Sequence, residues 1–522
     1  MPEMNLNRSA GILLHPTSLP GPDGMGDLGP EIYKWIDFLA ETGCQKWQIL
    51  PLGPTGYGDS PYQCFSAFAG NPYLISPLFL LDEDLLKVED FIDRPQFPKE
   101  YVDYGPAIIW KNTILDRAFN NFYKSRKKSI RQAFDSFYLE NIDWLEDFAI
   151  FMAIKESFGG IPWNDWPLNY KMKDFDAIEA FKQNHAKEIT KHIFRQWVFF
   201  KQWMRVKDYA HKLDIKIVGD IPFVIAFDSA DVWANPHLFH LDEDRLPTVV
   251  AGVPPDYFSK TGQLWGNPLY RWDVHKDEGY QWWLKRFRSV LNMVDIVRLD
   301  HFRGFEAAWQ VPFGNPTAEI GEWVKGPGHD FFSVIQRELG ELPIIAEDLG
   351  VITDGVIDLR DTYKLPGMKI LQFSFTGDPD DDFLPHNYPV NCYAYTGSHD
   401  NNTAFGWYQE ATEREQDFCR RYLAVSGEDI SWSLIRTLWQ SVAENVLAPM
   451  QDILSLSSQA RMNLPGCASG NWQWRMLPNA INDFIKSRIY ETNFLYGRLP
   501  QKEKIKHNAA LESELSGQVK PH

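Results

Sequence analysis

Eight short segments with the character of buried strands follow one another along the chain, and amphipathic stretches lie between them. The segments are GILLHP, KWQILPLGP, IKIVGDIPFV, VDIVRLD, LPIIAEDLG, MKILQFSF, CYAYTGS and LAPMQDIL. Stretches such as EIYKWIDFLAETG and QWWLKRFRSVLNMV repeat their apolar residues at helical spacing. Because a chain that alternates strands with helices forms a parallel sheet covered by those helices, we predict an α/β fold with eight parallel strands.

A closed barrel fits this pattern better than an open, doubly wound sheet. Several of the strand-like segments end in charged or hydroxyl residues, and none is followed by a glycine-rich nucleotide fingerprint. We therefore predict a (β/α)8 TIM barrel whose functional residues lie at the carboxyl-terminal rim. The whole chain, residues 1–522, is predicted to be one barrel domain with insertions at that rim.

Two connections are longer than a barrel needs. The span at about 71–195 contains helical patterns such as DSFYLENIDWLEDFAIFMAIKESF, which predict a helical subdomain. The span at about 228–273 is rich in Pro, Gly, Asp and Trp and lacks clear periodicity. Loops of this length at a barrel rim commonly form lids or binding walls, and a packed Ω-loop is the structural alternative. We interpret the second span as a loop region that binds the ligand.

The composition excludes several classes of partner. Hydrophobic residues make up 44% and charged residues 23% of the chain, which is typical of a globular protein. The net charge of −18 argues against nucleic acid and anionic membranes as partners. The five cysteines include no CxxC pair, so we expect neither disulfides nor structural zinc. Since no secretion signal or membrane-spanning segment is recognisable, we predict a cytoplasmic protein.

Three carboxylates follow strand-like segments. Strand alternation places Arg298 and Asp300 on the same side, and a neighbouring arginine favours the ionised form of a carboxylate. Glu347 and Asp400 follow the apolar segments LPIIA and CYAYTG. Each pattern alone has a common structural explanation, as an ion pair, a helix cap or a loop hydrogen bond. Because the ends of parallel strands meet at one rim, we predict that the three carboxylates share one site.

Longer strings connect these residues to a known family. They are LPLGPTGYGDSPYQCFSAFAGNPYLI, VGDIPFVI, VRLDHFRGF, IAEDLG, GSHDNNT and RMNLPGCASGNWQWR. With these strings in this order over roughly residues 10–500, the chain resembles the 4-α-glucanotransferases of glycoside hydrolase family 77, also called amylomaltases or disproportionating enzymes, in the α-amylase clan. The resemblance implies a catalytic (β/α)8 barrel that acts on maltooligosaccharides, α-1,4-glucans and glucose, without a cofactor or a metal.

The resemblance also implies roles for individual residues. Asp300 corresponds to the nucleophile, Glu347 to the general acid and base, and Asp400 to the stabiliser of the transition state. The residues implied to contact substrate are Tyr57, Ser60, Tyr62, Asp220, Trp265, Arg298, His301 and His399. These roles fit a retaining glycosyl transfer, which needs an ionised carboxylate at the anomeric carbon and a protonated carboxyl at the leaving oxygen. Asp220 has a structural alternative, in which it braces the site through Arg298.

The carboxylates do not decide between transfer and hydrolysis, because water or a sugar hydroxyl can resolve the same intermediate. Resemblance in the loops around Tyr257 and Trp265, and around Asn471 and Trp472, favours transfer to the 4-hydroxyl of an acceptor. A hydrolase of the α-amylase type is the alternative function. An inactive starch-binding protein is disfavoured, because the full set of carboxylates is present. The sequence has no clear acidic loop for calcium.

Overall fold

The computed structural model describes residues 8–255, 259–467 and 469–504. Its strands are β1 (Ser9–Leu13), β2 (Lys46–Gln48), β3 (Lys216–Ile221), β4 (Val249–Val253), β5 (Gln263–Pro268), β6 (Ile296–Leu299), β7 (Ala307–Pro312), β8 (Glu322–Lys325), β9 (Ile344–Ala346), β10 (Gly367–Ile370), β11 (Cys392–Tyr395) and β12 (Asn445–Pro449). Eight of them close into a parallel barrel in the order β1-β12-β11-β10-β9-β6-β3-β2. Each predicted segment overlaps one barrel strand, so the predicted TIM barrel is confirmed.

Helices cover the barrel and fill its long connections. They are α1 (Pro30–Glu41), α2 (Pro77–Asp82), α3 (Tyr104–Lys124), α4 (Lys128–Ser157), α5 (Leu168–Lys171), α6 (Phe175–Asn184), α7 (Ala186–Lys212), α8 (Ala230–Ala234), α9 (Trp272–Asp277), α10 (Gln281–Met293), α11 (Gly328–Leu339), α12 (Asp354–Thr362), α13 (Ala404–Glu410), α14 (Glu413–Leu423), α15 (Ile430–Gln440), α16 (Met450–Ile453) and α17 (Asp483–Leu495). Several begin at clear local signals. For example, α1 begins with a proline, and Thr412 and Glu415 form a capping box at α14.

The interior of the barrel is filled with side chains. One buried cluster consists of Val218, Ile296, Ile345, Met368, Ile370, Tyr393, Tyr395 and Leu447. Alternate strand residues face outward, so that the Trp47 ring of β2 lies 6.2 Å from the Trp203 ring of α7. Because the interior is packed, a ligand can approach the strands only at their ends.

The connection between β2 and β3 contains the helices predicted for residues 71–195. The two longest, α4 and α7, have 30 and 27 residues. They pack through aromatic side chains, among them Phe134 and Trp197, whose rings meet edge to face at 5.9 Å. That these helices form a separate subdomain stays a prediction.

The connection between β3 and β6 contains two strands in the region where the sequence analysis predicted a loop. Strands β4 and β5 lie here and pair with β7 and β8 in an antiparallel sheet of order β5-β4-β7-β8, which we call the rim sheet. The register shifts between Val250 and Gly252, and Gly266 has a φ of 76°, so the alternation of apolar residues is interrupted. Such interruptions hide strands from a search for period-two patterns. Tyr257 lies outside the described residues.

Within the described ranges, no helix is both long and apolar enough to cross a lipid bilayer. The five cysteines, all of which lie in these ranges, are free thiols. In the same part of the chain, no group of three or more His, Cys, Asp or Glu side chains is arranged to hold a metal ion.

Candidate active site

The centre of the site is a buried arginine between two carboxylates. Arg298 Nη1 lies 2.7 Å from Asp220 Oδ2 and 2.9 Å from Asp300 Oδ1. Asp220 is the register partner of Arg298 on the neighbouring strand β3, and Asp300 follows the last residue of β6. The Arg298 side chain is only 4% exposed, so solvent screens these ion pairs little. The predicted placement of Arg298 and Asp300 on one side is confirmed, and Asp220 does brace Arg298.

Glu347 directly follows β9 and lies beside the end of β6. Its Oε2 accepts a hydrogen bond from the His301 N–H at 2.7 Å. The Glu347 N–H donates to the Leu299 carbonyl oxygen, and the Phe302 N–H donates to the Glu347 carbonyl oxygen, both at 3.1 Å. His301 has a φ of 48°, a left-handed conformation that is uncommon for histidine and marks a constrained turn. The main chain of this turn therefore fixes Glu347 next to the residue that follows β6.

Asp400 lies on the loop between β11 and α13. Its Oδ2 is 3.4 Å from His399 Nε2, and its Oδ1 accepts a hydrogen bond from Asn463 Nδ2 at 2.6 Å. Arg461 Nη2 donates to the main-chain oxygen of Asp400, also at 2.6 Å. The side chains of a second loop therefore hold this carboxylate in place.

Tyr62 links the Asp400 loop to the buried arginine cluster. Its hydroxyl donates to Asp220 Oδ2 at 2.7 Å. Its ring stacks on His399 with centroids 5.2 Å apart and an interplanar angle of 15°. Trp472, 6% exposed, packs against both rings at 5.8 and 5.9 Å. The three carboxylates are thus members of one connected group, as predicted.

The other residues implied to contact substrate lie around this group. Trp265 of the rim sheet meets His301 edge to face, with centroids 4.8 Å apart. Ser60 lies in the connection after β2, where its Oγ accepts from the Tyr62 N–H at 3.2 Å. Tyr57 lies in the same connection, but it is 79% exposed and outside the buried group.

Burial and charge give the two neighbouring carboxyl groups different protonation behaviour. Burial raises the pKa of Asp300 to about 7, and the ion pair with Arg298 opposes this rise. Burial also raises the pKa of Glu347 well above its ordinary value; Arg298 opposes this rise, and the nearby Asp300 charge adds to it. Because Arg298 contacts Asp300 directly, we expect Asp300 to ionise first while Glu347 keeps its proton.

His301, which is half-buried, and His399, which is buried, are neutral hydrogen-bonding groups. Burial lowers the pKa of His301 to about 3, and it also lowers the pKa of His399, where Asp400 opposes the change. A neutral imidazole offers one donor and one acceptor nitrogen. Among the described residues, the buried atoms His399 Nδ1 and Asp220 Oδ1 have no hydrogen-bond partner. Both are suited to bind hydroxyl groups of a ligand.

Three neighbours of the site escaped the sequence analysis as functional residues. Arg461 and Asn463 hold Asp400, and Met368 Sδ lies 3.4 Å from Arg298 Nε. Arg461 is 61 residues from Asp400 in the chain and Asn463 is 63 residues from it, so no local spacing indicates the contact. Met368 has the sequence signal of an ordinary strand residue.

A (β/α)8 barrel with this acidic group at its rim defines an enzyme that acts on glycosidic bonds. A family model described as 4-alpha-glucanotransferase matches residues 14–480. The 4-alpha-glucanotransferase of Thermus thermophilus is 52% identical, over 93% of this chain and 98% of the relative, and that of Synechocystis sp. is 49% identical, over 94% and 98%. The solved structure of amylomaltase from Streptococcus agalactiae in complex with acarbose matches with a TM-score of 0.92 and 39% identity, covering 94% of this chain and 100% of that one. The chain belongs to the 4-α-glucanotransferase family.

Proposed function

We propose that this protein transfers segments of α-1,4-glucan from a donor to the 4-hydroxyl of glucose or of another glucan. The observation that carries the proposal is the difference between two adjacent carboxyl groups. Asp300 pairs with Arg298, whereas the hydrogen bond to the Glu347 side chain comes from a main-chain N–H. A retaining glycosyl transfer needs one ionised and one protonated carboxyl side by side. Family membership supports the same reaction.

In the first step, Asp300 acts as the nucleophile and Glu347 as the acid. An Asp300 oxygen bonds to the anomeric carbon of the donor while the glycosidic C–O bond breaks and Glu347 gives its proton to the leaving oxygen. The transition state carries positive charge on the sugar ring. Asp400, which Asn463 and Arg461 hold in position, stabilises that charge in this proposal.

In the second step, the acceptor replaces the leaving group. Glu347, now ionised, takes the proton of the acceptor 4-hydroxyl, whose oxygen bonds to the anomeric carbon as Asp300 departs. Two inversions at the same carbon retain the α configuration of the donor. The reaction needs no cofactor, which remains a prediction together with the cytoplasmic location.

The substrate contacts are proposed from the placement of the surrounding side chains. His399 and Asp220 would offer buried polar atoms to sugar hydroxyls, His301 would offer its half-buried imidazole, and Arg298 and Tyr62 orient Asp220. Further contacts would come from the rings and the hydroxyl around the group, which are those of Trp265, Tyr57 and Ser60. The region 228–273, which contributes two strands of the rim sheet, would form the wall on the Trp265 side.

Incubation with maltotriose alone tests the proposal. Chromatography would follow the ladder of chain lengths, and reducing ends would be counted in parallel. Glucose together with chains longer than maltotriose, at a constant number of reducing ends, is the expected result. Rising reducing ends with only shorter products would identify a hydrolase instead, and an unchanged substrate would contradict any catalytic function.

A further inference from the structure

The barrel is weakly paired between β10 and β9, the strand that Glu347 directly follows. β9 and β10 share one residue pair in register, Ala346 with Gly367, whereas β6 and β9 share three and β10 and β11 share four. The Ala346 N–H still bonds to the carbonyl oxygen of Pro366, just before β10, at 2.9 Å, whereas the N–H and the carbonyl oxygen of Glu347 bond to Leu299 and Phe302 on the β6 side. Main-chain hydrogen bonds to β10 therefore do not fix Glu347.

The side chain of the next residue, Asp348, fills this gap. Its Oδ1 accepts a hydrogen bond from the Met368 N–H of β10 at 2.7 Å, and its Oδ2 accepts from Arg360 Nη1 of α12 at 2.6 Å. The Asp348 side chain is 6% exposed, so both contacts are shielded from water. A Cβ atom at Gly367 would lie 2.4 Å from Oδ2, which shows how closely the carboxylate approaches β10. The Asp348 carboxylate thus accepts the Met368 N–H in place of a main-chain oxygen of β9.

We propose that Asp348 is a positioning residue that sets the location of the Glu347 carboxyl group. Adjacent residues of an extended chain point in opposite directions, so the anchoring of Asp348 toward β10 and α12 directs Glu347 toward His301. The same anchor fixes Met368, whose sulfur contacts Arg298. Both Asp348 oxygens are occupied by protein groups, so Asp348 acts on the reaction only through its neighbours, and of these we assign the effect to Glu347. The inference rests on the proposed role of Glu347 as acid and base.

The competing explanation is that Asp348 and Arg360 form an ion pair that only stabilises the fold. A pair of substrates, one that needs a general acid and one that does not, distinguishes this explanation from a positioning role. Maltotriose needs a proton on its leaving oxygen, whereas the fluoride of α-maltosyl fluoride leaves without one. Azide, used as the acceptor, needs no base. With this pair of reagents the C–F bond breaks as Asp300 bonds to the anomeric carbon, and the azide nitrogen then displaces Asp300. A displaced Glu347 impairs the first reaction and spares the second.

Asp348→Asn is the test variant, because its amide group places a donor against the donor of Met368 or of Arg360. We expect turnover of maltotriose to fall about 10- to 100-fold, within the contribution of a general acid, while fluoride release with azide changes less than about threefold. Equal losses on both substrates, or no loss on maltotriose, would overturn the proposal. If this variant does not accumulate as folded protein, Arg360→Lys replaces it, because it shifts the second donor to Asp348. The same ratio of maltotriose turnover to fluoride release decides the outcome.

Two further variants complete the design. Asp361→Asn is the matched control: Asp361 accepts from Nε of the same Arg360 at 2.8 Å, but it is 58% exposed and does not touch β10, so both activities should stay unchanged. Loss of maltotriose turnover in this control would overturn the assignment to Asp348. Glu347→Gln should show the fluoride-sparing loss in its strongest form. Equal losses in Glu347→Gln would refute the acid and base role itself, separately from the result for Asp348.

Discussion

Two buried arginines show how differently the protein uses the same side chain. Arg298 is 4% exposed at the rim and pairs with two carboxylates. Arg498 is fully buried and donates to main-chain oxygens, namely those of Ser9, Trp439, Ser441, Ala443 and Glu444. These oxygens belong to the first residue of β1 and to the segment that leads into β12. Arg498 thus joins the two strands where the chain closes the barrel, at the end opposite the carboxylates.

The partners decide the electrostatic outcome. Both guanidinium groups are desolvated, but Asp220 and Asp300 raise the pKa of Arg298, whereas burial lowers the pKa of Arg498 to about 9. Neutral carbonyl dipoles satisfy the hydrogen bonds of a cation without neutralising its charge. We infer that the rim keeps full charges because its chemistry needs an ionised carboxylate, and that the opposite end uses the donors of Arg498 only to stabilise the barrel.

The largest effect is expected from Asp300→Asn. The amide preserves the shape of the side chain and can still accept from Arg298, but it is not a nucleophile toward the anomeric carbon. Disproportionation of maltotriose should be nearly abolished, while urea unfolding at neutral pH still shows one cooperative transition of a folded protein. Ordinary turnover in this variant would rule out the nucleophile assignment.

The next largest effects separate the two arginines. Arg298→Met leaves two carboxylates without their cation, which by comparison with other broken buried pairs destabilises the fold by about 3–5 kcal/mol and raises the pKa of Asp300 further. Arg498→Met removes hydrogen bonds to main-chain oxygens, and each buried oxygen left without a donor costs about 1–3 kcal/mol, so we expect a loss of stability here too. Urea unfolding measures the stability, and kcat is measured on the fraction that is folded.

The kcat values give the decisive comparison. Arg298→Met should lose nearly all activity, because a neutral Asp300 does not attack the anomeric carbon. Folded Arg498→Met should keep the wild-type kcat. If both variants lost kcat to the same extent, the distinction between a charged rim and a structural end would be wrong.

The sequence predicted the parts of the fold that local patterns encode. All eight barrel strands overlap short segments that the sequence analysis picked out, and the spacing of Arg298 and Asp300 predicted that they lie on the same side. The rim sheet was missed because a bulge and glycines interrupt its alternation. The anchors of the catalytic loops were missed for a different reason: Asp348 bonds to Met368, 20 residues away, and Asn463 bonds to Asp400, 63 residues away, so no local pattern indicates either contact.

The pH dependence of kcat/KM also tests the comparison between the charged rim and the opposite end of the barrel. Its expected effect is smaller than that of the arginine variants. Productive enzyme needs ionised Asp300, whose pKa is raised to about 7, and protonated Glu347, whose pKa is raised well above its ordinary value. The value of kcat/KM should therefore rise as the pH passes through about 7 and fall again at higher pH, where Glu347 loses its proton. A pH profile with maltotriose as substrate measures both limbs.

The free energy of unfolding should fall over the pH range in which kcat/KM rises. A carboxyl whose pKa is higher in the folded state than in the unfolded state contributes stability below the unfolded pKa, and this contribution is lost as the pH rises through the folded pKa. For Asp300 the loss falls between about pH 4 and pH 7. Urea unfolding at several pH values should show that Asp300→Asn lacks this loss. An identical pH dependence in wild type and variant would contradict the raised pKa.

The smallest effect is expected from Tyr62→Phe, which removes one donor from the charged cluster and leaves its ions in place. The phenyl ring can keep its stacking on His399, and Asp220 keeps its bond to Arg298. A hydrogen bond to a charged group contributes roughly 1.5–3 kcal/mol, so a moderate loss of stability should accompany a decrease of about tenfold in kcat/KM. Urea unfolding and initial rates on maltotriose measure the two quantities. Since Arg298 alone still holds Asp220, a loss as large as that of Arg298→Met would show that the tyrosine hydroxyl, and not the arginine, carries the organisation of the rim.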